Sequence, residues 1–317
     1  MPVIFAKAPG KIILFGEHAV VYDQPAIAIP VHKVKATARV IPNLEGQPGE
    51  VRIQAADIQL DAALSDLAED HPLAIAARMG LKAASVDRPP SFTLQISSTI
   101  PISAGMGSSA AIAIAIIRAL ADFFGVPLSV DKISSLAYEV EKFQHGTPSG
   151  IDNNVIAHQQ PVFFVRNQPI ETLTIEQPTH WVIADSGEKT PTRETVSDVR
   201  KLYDSDPTTC GDHFRQIGEI TRNARESLIK GEITRLGQLM DQNQRLLESI
   251  GVSSPTLEHL IIAAKDAGAV GAKLSGGGRG GNIIALSTAD NMERIETALL
   301  NAGGQRVITT ILNKGRR

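Results

Sequence analysis

The run Pro101-Ile102-Ser103-Ala104-Gly105-Met106-Gly107-Ser108-Ser109-Ala110-Ala111 constrains the fold of this chain more than any other stretch. A strand predicted over Ser91 to Ile100 leads into it. An almost wholly apolar helix, Ala110 to Phe124, leads out. Gly105 and Gly107 let the backbone bend sharply and approach a ligand with no Cβ in the way. The amides that follow belong to a helix start, where N–H groups lack intrahelical partners and the helix dipole favours an anion. Ser108 and Ser109 add hydroxyls for a phosphate oxygen or a metal ion. The pattern is that of a phosphate cradle. It is not the common nucleotide loop, because no G-x-x-x-x-G-K-[ST] occurs. The nearest approach, Gly10-Lys11, has Phe5 where the first glycine should stand and Ile12 in place of the hydroxyl. A helix start that merely packs closely is the plain alternative.

A chain of 317 residues suits one large or two medium domains with a full core. A net charge of −3 leaves no basic surplus for phosphate backbones, so nucleic acid is not an expected partner. The basic end, Lys314 to Arg317, reads as a solvated tail. The single cysteine, Cys210, cannot form an internal disulfide, which suits a reducing cytoplasm. No signal segment opens the chain, and the longest apolar run is broken by Arg118 and Asp122, so no membrane is expected.

The first half reads mainly as strands. Val3 to Ala8 and Ile12 to Phe15 are β-rich and split by a predicted Pro9-Gly10 turn. Val31 to Ile41 alternates, and Val51 to Ala55 is a short strand. Helices are predicted over Pro72 to Ala84 and Val130 to Phe143, the second entering a turn at Gly146 to Gly150. Further strands are expected at Pro161 to Val165, Glu171 to Ile175 and Trp181 to Asp185. Four helices follow, then strand, loop, strand, helix and strand: Gly271 to Ser275, Asn282 to Ser287, Asp290 to Ala302 and Arg306 to Leu312. That ending suits an α+β sheet with helices on one face. The domain boundary is expected within residues 155 to 190.

Three more segments carry chemistry. They are Ala8-Pro-Gly-Lys11 through Gly16-Glu17-His18-Ala-Val-Val-Tyr22, His145-Gly-Thr-Pro-Ser149-Gly-Ile-Asp152-Asn-Asn, and Lys273-Leu-Ser-Gly276-Gly277-Gly-Arg279-Gly-Gly281-Asn282. With the cradle, and in this order, they resemble the superfamily of galactokinase, homoserine kinase, mevalonate kinase and phosphomevalonate kinase. The Glu17-His18 and Asp152 segments are most similar to the mevalonate kinase branch. The resemblance implies a two-domain α+β fold. Its N-terminal domain, residues 1–165, would bind nucleotide and resemble ribosomal protein S5 domain 2. Its C-terminal domain, residues 166–317, would be ferredoxin-like and carry the glycine-rich run, with the active site in the cleft between them. The implied reaction is ATP-dependent phosphorylation of the 5-hydroxyl of (R)-mevalonate, with Mg²⁺ as cofactor and Pro101 to Ala111 holding ATP. ATP and mevalonate are the implied partners, with a homodimer left open.

Phosphoryl transfer asks for a cradle, a divalent ion, a cation near the transferred group and an acceptor for the hydroxyl proton. By resemblance Asp152 is the proton acceptor; a turn carboxylate bonding its own backbone is the alternative. Lys11 would lie beside it and favour the ionised hydroxyl, although an ordinary surface lysine reads the same. Glu141 with Ser109 would hold Mg²⁺. Glu139 competes, but two residues apart on a helix they point about 200° apart, so one of them faces the site. Glu17, His18, Gly276 and Gly277 would meet the substrate together with Lys11 and Asp152, with Ser149 and Thr192 or Arg193 as weaker candidates for substrate or phosphate contacts. His32, His158, His180, His213 and His259 carry no ligand spacing, and no pattern suggests zinc. The glycine-rich run departs from the family pattern, having Gly277 for Ala, Arg279 inside the glycines and Asn282 for Cys. Arg279 could contact a phosphate or carboxylate, or point outward. The competing functions are a sister kinase acting on phosphomevalonate or the 3-hydroxyl of mevalonate, a mevalonate diphosphate decarboxylase, and a nucleotide-binding sensor without catalysis.

Overall fold

A computed structural model of the chain describes residues 2–101, 105–145 and 148–313. Ile102, Ser103 and Ala104 of the cradle, Gly146 and Thr147 of the predicted turn, and the basic tail lie outside the described residues, as do the side chains of Gln144 and His145. The rest falls into two compact units.

The first unit takes in residues 2–11, 30–101 and 106–159. It contains most of β1 (Ile4–Phe15) and β2 (Ala26–Pro42), together with β3 (Val51–Ala55), β4 (Leu60–Ala63) and β5 (Phe92–Ser98). Its helices are α1 (Pro72–Ala83), α2 (Ser108–Phe124), α3 (Val130–His145) and α4 (Ile151–His158). The strand order is β4-β3-β5-β2, with β1 also on β2. β3 and β5 run parallel, while β2 pairs antiparallel with β5, Thr37 opposite Ser97. In β2 the period of two buries Val34, Ala36, Ala38 and Val40 and exposes Lys33, Lys35 and Arg39. Helix α2 packs with α1, α3 and α4, which accounts for its apolar sequence: Ile114, Ile117 and Leu120 are all buried. Each such side chain contributes about 1.5–3 kcal/mol on burial. Gly80 of α1 has no room for a side chain, since a Cβ would come within 2.8 Å of Leu120.

The second unit takes in residues 12–29, 105 and 160–313. Here Ala26, Ile27 and Ala28 of β2 pair with β6 (Val162–Phe164), which pairs with β7 (Glu171–Thr172). A separate antiparallel sheet is ordered β11-β8-β10-β9, built from β8 (Thr179–Asp185), β9 (Gly271–Ser275), β10 (Asn282–Ser287) and β11 (Arg306–Leu312). Numbered by sequence, these four strands lie in the order fourth, first, third, second, the split βαβ arrangement of a ferredoxin-like domain. Helices α5 (Thr192–Ser205), α6 (Pro207–Lys230), α7 (Ile233–Ser249) and α8 (Pro255–Asp266) lie between β8 and β9, and α9 (Met292–Asn301) joins β10 to β11. The core gathers Val182, Ala184, Phe214, Leu257, Leu274 and Ile283. Among the described residues no helix is long and apolar enough to cross a membrane.

One local expectation is corrected. Pro9-Gly10 does not turn the chain, and β1 runs through it unbroken. Gly10 is there for packing: a Cβ would stand 3.0 Å from Val34 and 3.3 Å from the Met106 carbonyl. After Gly150 the chain enters α4, with Asp152 in its first turn. Acidic residues suit a helix N-terminus even where they are poor formers of its interior.

Candidate active site

In the first unit the part of the cradle from Met106 onward and the acid–base candidates meet. Gly107 precedes α2 with φ +69°, and Gly105 stands at φ +67°, both in left-handed backbone. A Cβ on Gly107 would lie 2.9 Å from Ile156, 3.0 Å from Lys11 Cγ and 3.4 Å from Asp152 Oδ2. Glycine here therefore serves conformation and close approach together. The Lys11 N–H donates to the Met106 carbonyl at 3.0 Å, fixing β1 against the cradle. Lys11 Nζ stands 3.0 Å from Asp152 Oδ1, the lysine side chain 6% exposed and the aspartate 31%. The lysine is sealed, and the carboxylate still opens to solvent. Helix α4 is held to α3 by a polar network. Asn153 Nδ2 donates to Ser134 Oγ (2.8 Å), the Ser134 hydroxyl donates to Asn154 Oδ1 (2.9 Å), and Asn154 Nδ2 donates to the Gly150 carbonyl (2.6 Å). The paired asparagines after Asp152 thus orient its helix.

Ser109, in the first turn of α2, donates its hydroxyl to Glu141 Oε1 of α3, and Glu141 is buried. Glu139 points elsewhere, 45% exposed and paired with Lys142 at 2.6 Å. A hydroxyl and a carboxylate side by side are hard oxygen donors, the chemistry Mg²⁺ takes from protein when phosphates and water supply the rest. Among the described residues no group of three or more His, Cys, Asp or Glu could hold a metal alone. The donor set fits an ion shared with a nucleotide.

In the second unit, three links tie the Glu17-His18 segment to the glycine-rich run. The Ser275 hydroxyl donates to the Ile13 carbonyl at 2.7 Å. Lys273 Nζ pairs with Glu17 Oε1, both side chains 0% exposed. His18 Nε2 lies 2.9 Å from the Gly277 carbonyl. A carbonyl only accepts, so that nitrogen carries the proton. Burial pushes the His18 pKa down to about 4; the bond to Gly277 opposes the shift, while the charges of Arg279 and Lys273 add to it. Burial also lowers the Lys273 pKa, opposed by the Glu17 carboxylate beside it. Gly16 admits the bend before Glu17 at φ +92°, where a Cβ would collide with the Pro25 carbonyl.

The glycine-rich run lines a small pocket with Gly105, Glu188, Thr190, Thr192 and Asn282, in which Gly276 and Gly277 take part. Thr192 begins α5 there, and both it and Arg193 are exposed. Ser149 is exposed and accepts the Ile151 N–H at 3.3 Å, closing the start of α4. Arg279 pairs with Asp198 at 2.6 Å. His158 reaches Asp131 at 3.3 Å, a contact within the first unit away from the cradle. Lys273 is the residue of this cluster whose partner the spacing alone does not assign. Its signal is present nonetheless, since a lysine inside a strand of small and apolar residues needs a buried carboxylate.

The matches to known proteins follow this geometry. The GHMP kinases N terminal domain family matches residues 71–159, and the GHMP kinases C terminal family matches residues 224–305. The mevalonate kinase of Thermococcus sibiricus is 33% identical, over 99% of this chain and 98% of its own. That of Pyrococcus horikoshii is 34% identical, over 99% and 97%. The chain belongs to the mevalonate kinase family of the GHMP kinases. Its fold superposes on L. major mevalonate kinase in complex with R-mevalonate with a TM-score of 0.84 at 28% identity, covering 99% of this chain and 97% of that one. The Methanococcus jannaschii mevalonate kinase fold gives 0.84 at 24% identity, covering 99% of each. Membership makes the chain an ATP-dependent kinase of the GHMP type.

Proposed function

We propose that this kinase transfers the γ-phosphoryl group of ATP to the 5-hydroxyl of (R)-mevalonate, giving 5-phosphomevalonate and ADP. The observation that carries the reading is the Lys11–Asp152 pair at 3.0 Å, packed against Gly107 of the cradle. Asp152 accepts the proton of the attacking hydroxyl. Lys11 offsets the negative charge of the oxygen that forms. Little covalent work remains for the protein, because phosphoryl transfer is mostly positioning and charge stabilisation. The cradle, Pro101 to Ala111, receives the phosphates on the amides that open α2. Ser109 and Glu141 would hold Mg²⁺, which when bound neutralises phosphate charge.

Substrate recognition falls to His18 and the Gly276-Gly277 backbone, with Lys11 and Asp152 at the reacting hydroxyl. His18, neutral and with its Nε2 proton committed to Gly277, can accept at Nδ1. Glu17, buried against Lys273, supports the site from beneath. In this reading residues 1–165 supply the nucleotide and catalytic machinery and residues 166–317 the glycine-rich run. The buried free thiol of Cys210 suits a cytoplasmic enzyme. A coupled ADP-release assay over mevalonate, phosphomevalonate, homoserine and galactose tests the reading. Turnover with mevalonate is expected. Silence with mevalonate alongside turnover of another acceptor overturns it.

A further inference from the structure

Arg279 occupies a backbone position that suits glycine. Its φ is +54°, and Gly278, Gly280 and Gly281 around it also have positive φ. Left-handed backbone disfavours a residue with a Cβ, so an arginine persists there only where its surroundings over-determine it. They do. The Arg279 N–H donates to the Val252 carbonyl at 2.7 Å, and its Nε donates to the Gly251 carbonyl at 3.0 Å. Its carbonyl accepts the Thr190 hydroxyl at 2.6 Å. Its Nη1 stands 2.6 Å from Asp198 Oδ2 on α5. One residue thereby joins the glycine-rich run to the segment after α7, to the residues before α5 and to α5 itself. The run is tight on either side of it. Gly281 N–H donates to the Glu188 carbonyl at 3.0 Å, and a Cβ on Gly278 would collide with the Val252 carbonyl. Two residues before Arg279 lies Gly277, whose carbonyl takes the His18 ring.

We propose that Arg279 is a positioning residue, a latch whose guanidinium, paired with Asp198 and bonded to the Gly251 carbonyl, holds the run Gly276 to Gly281 in the register that His18 requires. Its Nε and Nη1 are engaged with protein groups, which commits that side of the guanidinium to fixing the loop. Lys201 and Arg279 hold the Asp198 carboxyl below the usual carboxylate range, keeping the anchor charged. The ion-pair side chains are 37% and 40% exposed, which makes that part of the latch sensitive to salt.

The kinetic arm of the test rests on the proposed reaction; the exchange arm needs no substrate. Amide hydrogen exchange over residues 276–281 is compared in the wild type, Asp198→Asn, Arg279→Lys and Arg279→Gly, between about 50 mM and about 0.5 M NaCl. Loss of an exposed ion pair predicts about two- to fivefold faster exchange in Asp198→Asn at low salt, and wild-type exchange should approach it at high salt. Arg279→Gly relieves the backbone yet removes every side-chain tie. It should exchange about tenfold faster than wild type, with Arg279→Lys between them. With mevalonate as acceptor, the acceptor KM should rise in the same order while kcat and the ATP KM stay close to wild type. Exchange that is unchanged or slower in Arg279→Gly, or equal in Asp198→Asn and wild type at both salts, overturns the latch. If the wild type fails to turn over mevalonate, the reaction assignment falls, and the exchange result still decides for or against the latch.

Discussion

Replacing Lys273 by methionine removes an ammonium and keeps much of the volume. What remains is the Glu17 carboxylate, fully buried and without the ammonium that paired with it. Lys273 also donates to the Leu274 carbonyl at 2.6 Å and lies 6.0 Å over the Phe15 ring, but the carboxylate dominates the cost. Breaking a buried pair by removing one member typically costs about 3–5 kcal/mol. A second route sets a ceiling, because Glu17 can take up a proton and become neutral. From an ordinary carboxyl pKa of about 4.3, doing so at pH 7 costs about 1.36 kcal/mol for each of about 2.7 units, or about 3.7 kcal/mol. The same step at pH 5 costs about 1 kcal/mol. The expected destabilisation of Lys273→Met is therefore about 3–4 kcal/mol at pH 7, shrinking toward about 1 kcal/mol at pH 5. Adding Glu17→Gln removes the charge altogether and should return most of the loss, giving a coupling of about 2 kcal/mol or more between the two positions. Urea unfolding followed by the fluorescence of Trp181 measures this in the unit that contains the pair. That residue is the chain's single tryptophan and is fully buried on β8. A loss below about 1 kcal/mol at pH 7, a loss that does not change with pH, or a strictly additive double variant refutes the reasoning.

Asp152→Asn should lower kcat at least about a hundredfold with ATP binding kept, and Lys11→Met combined with it should lose less than the product of the single losses, both read in steady-state assays. Ser109→Ala and Glu141→Gln should raise the Mg²⁺ concentration needed for half-maximal activity, with excess Mg²⁺ partly rescuing the serine variant; unchanged Mg²⁺ curves remove both from the metal site. The folded state keeps His18 neutral down to about pH 4, while the unfolded chain takes the proton from its ordinary value of 6.5. Stability is thus fully present above pH 6.5 and is lost as pH falls toward about 4, by about 3 kcal/mol. Urea midpoints across that window should fall less in His18→Gln than in wild type.

Local chemistry made much of the fold legible. The strands Val51–Ala55, Gly271–Ser275, Asn282–Ser287 and Arg306–Leu312 have the bounds that their apolar pattern predicts. Gly105 and Gly107 have the positive φ that a sharp bend into a helix demands. What the sequence hides is what depends on a distant neighbour. Pro9-Gly10 looks like a turn by composition, and only the approach of Val34 and Met106 explains a glycine within an unbroken strand. The first turn of helix α4 carries Asp152-Asn153-Asn154, residues that local propensity assigns to turns; the bonds of the two asparagines to Ser134 and Gly150 let a short helix stand. Arg279 likewise sits at φ +54° because Asp198, Gly251, Val252 and Thr190 receive it, and none of those positions is marked as its partner in the chain.

The two lysine–carboxylate pairs show why motif membership alone does not assign a role. Lys11 with Asp152 and Lys273 with Glu17 have the same chemistry, and each lysine lies on a strand and is buried. They differ in access. Asp152 keeps 31% of its side-chain surface open, while Glu17 keeps none. A proton acceptor must come within hydrogen-bond reach of the hydroxyl it serves, directly or through one water. A sealed carboxylate meets that condition only by displacing packed atoms, and its burial makes the charge costly to strand. The half-open pair therefore suits proton transfer, and the sealed pair suits holding β9 to the Glu17-His18 segment. Asp152→Asn should then cost rate at little expense of stability, and Lys273→Met should cost stability first. The reverse pattern would exchange the roles of the two pairs.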